Sequence, residues 1–209
     1  MVVDTVIGRT PLLQTGKELR NVGVTVLRLR GDRLTGVETR VVPLAGYEPS
    51  PEYEALVAEI YASPELNAPV GRFSADADGW GLANWMAAAV ADEADAEVGF
   101  YHVGGVRRDR IDAGEVSSAM VYGLEPFGTH VASMQMTPAQ MRRMILEKYN
   151  DTVNLKEAHR IDLIATTPYD IVVDAEDRAV DVRFPALSEG RLYRVGMNDY
   201  IFRLSLIHI

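Results

Sequence analysis

Apolar and polar positions alternate from Val24 to Arg30, with one slip at Val26-Leu27, and Leu34 to Leu44 reads as a returning strand. Gly31-Asp32-Arg33 lies between the two runs, so a β-hairpin is predicted there. Ser50 and Pro51 supply an N-cap and a first helical residue. The helix they open places Leu56, Val57, Ile60 and Tyr61 on one face and ends before Pro64. Asp78 is positioned to cap a second helix, Trp80 to Ala94, with Leu82, Trp85, Met86, Ala89 and Val90 as its apolar stripe. Val98 to Val103 reads as a buried strand, and His130 to Met136 as an alternating one. Thr137, Pro138 and Gln140 form a capping box for a helix whose inner face is Met141, Met144, Ile145 and Tyr149. Short strands follow at Ile161 to Thr166, Asp170 to Val173, Ala179 to Phe184 and Tyr193 to Met197, with a turn over Asp174 to Arg178. Helices and strands intermix along the chain, which places it in the α/β (mixed α+β) class.

Composition narrows the functions this fold can serve. The 209 residues are 47% hydrophobic and 24% charged, ordinary globular material long enough to bury a sizeable core. A formal net charge of −9 argues against nucleic acid or an anionic membrane as partner. No apolar run reaches the length of a membrane span, and the first residues lack the basic and apolar regions of a signal peptide. With no cysteine there is no disulfide, thiolate or Cys-based zinc chemistry. The histidines His102, His130, His159 and His208 stand at no metal-ligand spacing and read as surface or structural side chains. Met134, Met136, Met141 and Met144 read as core filling rather than as a soft-metal site.

One stretch, Glu97 to Gly128, departs from this background. Its strand runs into Gly104-Gly105, where the backbone can take φ > 0 or come close to a bound group. Arg107, Arg108 and Arg110 follow within four positions, a local cationic cluster in an acidic chain. Arg108 and Arg110 can equally be solvated loop residues paired with Asp109 and Asp112. Pro126-Phe127-Gly128 then holds an aromatic ring on a stiff corner. Guanidinium beside a displayed ring suits a flat anionic ligand such as a nucleotide, phosphate to the cation and base to the ring. A buried corner ring is the plainer alternative for Phe127.

This stretch resembles the C-terminal domain of 5'-nucleotidases, the exported two-domain metallophosphoesterases. Their pattern Asn-x-Gly-Gly-(Ile/Val)-Arg, then Gly, a helix and Pro-Phe-Gly-Asn, is matched by His102, Gly104, Gly105, Val106 and Arg107, by Gly114, and by Pro126 to Thr129. Thr137 to Met141 echoes the helix start that follows, and Leu82-Ala83-Asn84 echoes a Leu-Gly-Asn at an earlier one. Tyr193-Arg194-Val195 with Asn198-Asp199-Tyr200 is similar to the segment whose aromatic completes a sandwich around the base.

The resemblance implies a mixed sheet flanked by helices, preceded by a β-hairpin remnant of the metallophosphoesterase domain. It implies that Phe127 and Tyr200 clamp the base, that Arg107 contacts the polar or phosphate portion, and that Gly104, Gly105, His102 and Thr129 line the site. A plain core ring is the alternative for Tyr200. His102 and Thr129 stand where the family has Asn, so ribose-side contacts are expected to differ. The implied reaction is hydrolysis of a nucleoside 5'-phosphate, periplasmic or at the cell surface, with two divalent metal ions held by a catalytic domain. None of that domain's metal motifs occurs in this sequence.

Residues 1–44 are accordingly expected to be the tail of the catalytic domain, 45–64 a linker helix, and 65–203 an incomplete recognition domain. Residues 204–209 read as adapter-derived sequence. The fragment is expected to hold no catalytic residue, to bind no metal itself, and to need its own catalytic domain as partner. Competing readings are a relative acting on cyclic nucleotides, nucleotide sugars or thiosulfate esters, and a non-enzymatic binding module.

Overall fold

The computed structural model describes residues 2–7, 10–16, 19–150 and 163–206, in two compact units, 1–60 and 61–209. In the first unit, β1 (Val2–Ile7) and β2 (Thr10–Thr15) form one antiparallel hairpin, and β3 (Asn21–Arg30) and β4 (Arg33–Pro43) a longer one. Gly31 makes the tight connection of the second at φ 63°. Helix α1 (Pro51–Tyr61) starts at Pro51 as its sequence predicts, and Glu54 N donates to the Ser50 carbonyl. Its apolar face is not buried: Leu56, Val57 and Ile60 are each about half exposed, and so are Val26, Leu27 and Leu29 of β3. No described side chain of this unit is buried.

The second unit is built on a four-stranded mixed sheet in the order β10-β14-β7-β11. Strand β7 (Val98–His102) runs parallel to β14 (Tyr193–Asn198), while β10 (Val131–Met136) and β11 (Leu163–Ala165) flank them antiparallel. Ile161 and Asp162, expected at the start of the strand that is β11, lie outside the described residues. Helix α3 (Gly79–Glu93) covers one face, opened by Asp78, whose carboxylate accepts from Gly81 N at 2.8 Å. Helix α5 (Pro138–Asn150) and the hairpin β12 (Asp170–Val173) and β13 (Ala179–Arg183) cover the other. The capping box closes as expected, with Thr137 N donating to Gln140 Oε1 at 2.8 Å. The core between these layers joins Phe100, Val195 and Met197 to Met136, Met141, Met144 and Ile145, so those methionines fill space.

The buried face of α3 is Leu82, Ala83, Ala87 and Val90, whereas Trp85 is 40% exposed and sits edge-on to Phe73 at 5.5 Å. Trp85 and Ala89 therefore leave the predicted stripe. The reason is spacing: α3 lies so close to Gly99 and Gly196 that the Ala87 and Val90 carbonyls reach the two glycines, which leaves no room for a ring as large as Trp85 at the contact. Smaller elements complete the unit: α2 (Pro64–Asn67), the pair β5 (Pro69–Phe73) with β9 (Gly114–Ser117), and β6 (Ala77–Asp78) with β8 (Arg110–Ile111). Helix α4 (Ser118–Leu124), capped by Ser117, and α6 (Asp199–Leu206) lead to and from the edge discussed next.

Candidate functional site

Strands β7 and β14 end side by side, at His102 and Asn198, because Met197 pairs with Phe100 in parallel register. β10 begins at the same edge, where Val131 pairs with Asn198. Carboxyl ends of adjacent parallel strands are where open α/β sheets place their ligands. At this edge the sequence-predicted residues gather.

Gly104 and Gly105 belong to a single 3₁₀ turn, Val103–Gly105, and neither has positive φ. Gly105 is nevertheless required to be small: a Cβ there would sit 2.5 Å from Cε1 of His102. The close approach is thus to the imidazole of the same chain. After the turn, Arg107 N donates to the Leu124 carbonyl at 2.9 Å, which ties the arginine loop to the end of α4. Three residues past Leu124 the chain presents Phe127, and Gly128 turns it back at φ 61°. The guanidinium of Arg107 consequently lies over the Phe127 ring, 5.6 Å from its centroid. Phe127 is 58% exposed, so the buried-corner reading fails.

His102 and Tyr200 form a second couple, stacked at 4.8 Å between centroids with planes 26° apart. Tyr200 stands in the first turn of α6 and is 49% exposed, which sets aside the core-ring reading. Thr129, half-buried, precedes His130, and His130 is bound to Asp199 twice: Asp199 N donates to its carbonyl at 2.8 Å, and its own N donates to Asp199 Oδ1 at 3.3 Å. These bonds hold the Phe127 corner next to the start of α6. Arg107, Phe127, Thr129, His102, Gly105 and Tyr200 therefore share one edge of the sheet, with one face of Tyr200 backed by His102.

The other two arginines are engaged by their own neighbours. Arg110 pairs with Asp112 at 2.5 Å and with Asp76, which the sequence reading missed; its guanidinium is held more firmly charged by the Asp112 hydrogen bond first and Asp76 second. Arg108 packs against Gly123, where a Cβ would come within 2.8 Å of its guanidinium.

Two buried groups behind the edge were also missed. Asn198, 1% exposed, bonds both His102 and Ile201. An asparagine closing a strand just before an acidic helix start is an N-cap pattern, which was the available signal. Tyr101 is 1% exposed and its hydroxyl closes no hydrogen bond; nor does Glu125 Oε1. Burial foremost, then the Glu125 charge, pushes the Tyr101 phenol well above its ordinary range, with the Asn198 amide partly opposing.

Among the described residues, no group of three or more His, Asp or Glu side chains is placed to hold a metal ion. Nor is any described helix long and apolar enough to cross a membrane.

A family model described as 5'-nucleotidase, C-terminal domain, matches residues 62–203, two thirds of the chain. The chain belongs to this family. Among solved structures it is similar to a 5'-nucleotidase precursor from Thermus thermophilus (TM-score 0.65, 17% identity, 100% of this chain and 47% of that one). It is similar also to the NAD nucleotidase of Haemophilus influenzae (0.53, 17%, 73% and 32%) and to the sulfate thiohydrolase SoxB of Thermus thermophilus (0.62, 15%, 95% and 40%). Identities this low establish the shared fold alone, and the chain spans less than half the length of each of these three. No curated protein matches the sequence.

Proposed function

We propose that the second unit is the nucleoside-recognition domain of a metal-dependent 5'-nucleotidase acting on nucleoside 5'-phosphates outside the cytoplasm. The observation that carries this reading is the Arg107 guanidinium resting on the half-exposed Phe127 ring, at the edge that also presents Tyr200. The free faces of the two rings offer stacking surfaces for a base, each stack worth roughly 1–3 kcal/mol, and Arg107 a partner for phosphate. The part played by these residues is positioning: they hold the nucleoside so that its phosphate reaches chemistry located elsewhere. Residues 1–44 fit that arrangement as the end of a catalytic domain. Two hairpins with exposed Leu27 and Leu29 are not stable by themselves and need another surface to cover them.

The test is calorimetric titration of AMP and of adenosine into the wild-type chain and Phe127→Ala. Wild type should bind both, AMP more tightly through Arg107, and the variant should lose about tenfold or more. Absence of binding by wild type, or equal binding by the variant, would count against the clamp.

A further inference from the structure

We infer that Asn198 is a positioning residue that fixes the tautomer of His102 and thereby seats the Tyr200 ring. The tautomer follows from geometry alone; only the use of the seat rests on the nucleoside reading above.

Asn198 is the last residue of β14 and, among the described residues, the buried polar side chain of the core. Its Oδ1 accepts from Ile201 N at 3.0 Å, the bond that starts α6. That bond settles the orientation of the amide, because an N–H cannot donate to an NH₂ group. Nδ2 must then be the atom that faces His102 Nδ1, at 3.3 Å. An amide nitrogen only donates, so Nδ1 accepts, and the imidazole proton resides on Nε2. The ring held this way has Gly105 against its edge, where a Cβ would clash, and Tyr200 on its face at 4.8 Å. Tyr200 itself stands two residues beyond Asn198, in the turn that the same side chain caps.

A helix cap alone would not need an asparagine, since Asp and Ser serve as well. The substitution Asn198→Asp keeps the cap but replaces the donor toward Nδ1 with an acceptor, which calls for a proton on Nδ1. Asn198→Ser keeps a cap and removes the contact with His102.

The experiment is a long-range ¹H–¹⁵N correlation of the histidine side chains in uniformly ¹⁵N-labelled protein near pH 8, with the His102 signals assigned by their loss in His102→Gln. Wild type is expected to show His102 with Nε2 protonated and Nδ1 bare. In Asn198→Asp the proton should appear on Nδ1, alone or with Nε2, and AMP affinity should fall about 2- to 10-fold, the range of one hydrogen bond. A wild-type His102 protonated at Nδ1, or an unchanged tautomer in a folded Asn198→Asp, would overturn the assignment. The wild-type spectrum decides the tautomer even where a variant fails to fold. The expected tautomers without AMP binding by wild type would uphold the device and overturn the ligand seat.

Discussion

Gly99 and Gly196 lie opposite one another in the parallel pair of β7 and β14, and the backbone of α3 runs across both. A Cβ on Gly99 would collide with the Ala87 carbonyl oxygen and come within 2.8 Å of the Ala91 Cβ; one on Gly196 would meet the Val90 carbonyl at 2.9 Å. The obstacles are carbonyl and Cβ atoms fixed by the helix backbone and cannot rotate away. Gly99→Ala should therefore cost about 3 kcal/mol, at the upper end of overpacking. Gly190→Ala, facing open space at φ 75°, should cost only about 1 kcal/mol. Urea unfolding of both variants checks the order, read as a change in midpoint at constant slope.

Gly105→Ala acts on a side chain instead of a backbone. The imidazole of His102 can swing off the new methyl, so the expected loss of stability is small, about 1 kcal/mol. What should disappear is the stack on Tyr200, seen as loss of the ring-current shift on the Tyr200 ring protons.

Tyr101→Phe should leave stability unchanged or raise it by about 1 kcal/mol, because the hydroxyl is buried without a closed hydrogen bond. The pH dependence has a definite sign. Burial keeps the folded phenol neutral beyond the pH at which an unfolded tyrosine ionises, about 10. Above that pH the unfolded state holds fewer protons, so this contribution is intact below about pH 10 and is lost as pH rises further. Alkaline denaturation of Tyr101→Phe should accordingly be shallower than that of wild type.

Arg107 and Phe127 should couple in ligand binding and hardly at all in folding. Both are exposed, and a cation–π contact at such a site contributes about 0.5–1 kcal/mol. A double-mutant cycle with Arg107→Ala and Phe127→Ala should give a stability coupling below about 1 kcal/mol, together with clearly non-additive losses in AMP affinity.

Local chemistry was the legible part of the sequence. Asp78, Thr137 with Gln140, and Pro51 each mark a helix start that the structure confirms, because capping depends on neighbours within four residues. The inner face of α5 was equally readable from its period. The face of α3 was not, since its choice of Ala87 over Trp85 is set by two glycines on strands elsewhere in the chain. The same limit applies to the edge. Arg107 and Phe127 stood out as residue types, but their meeting depends on one backbone bond between Arg107 and Leu124. Asn198 depends on a partner 96 positions away, and Asp76 on one 34 away; no local pattern encodes either.

Strand β14, the last in sequence among the described residues, occupies the middle of the sheet, between β10 and β7. A ribosome must therefore deliver residue 198 before the interior can close, and until then β7 and β10 have a vacant lane between them. Distant pairings of this kind make folding slow and leave strand edges open to chaperones or to neighbouring chains. A nascent chain stalled short of Tyr193 would thus be a substrate for quality control rather than a shortened binder.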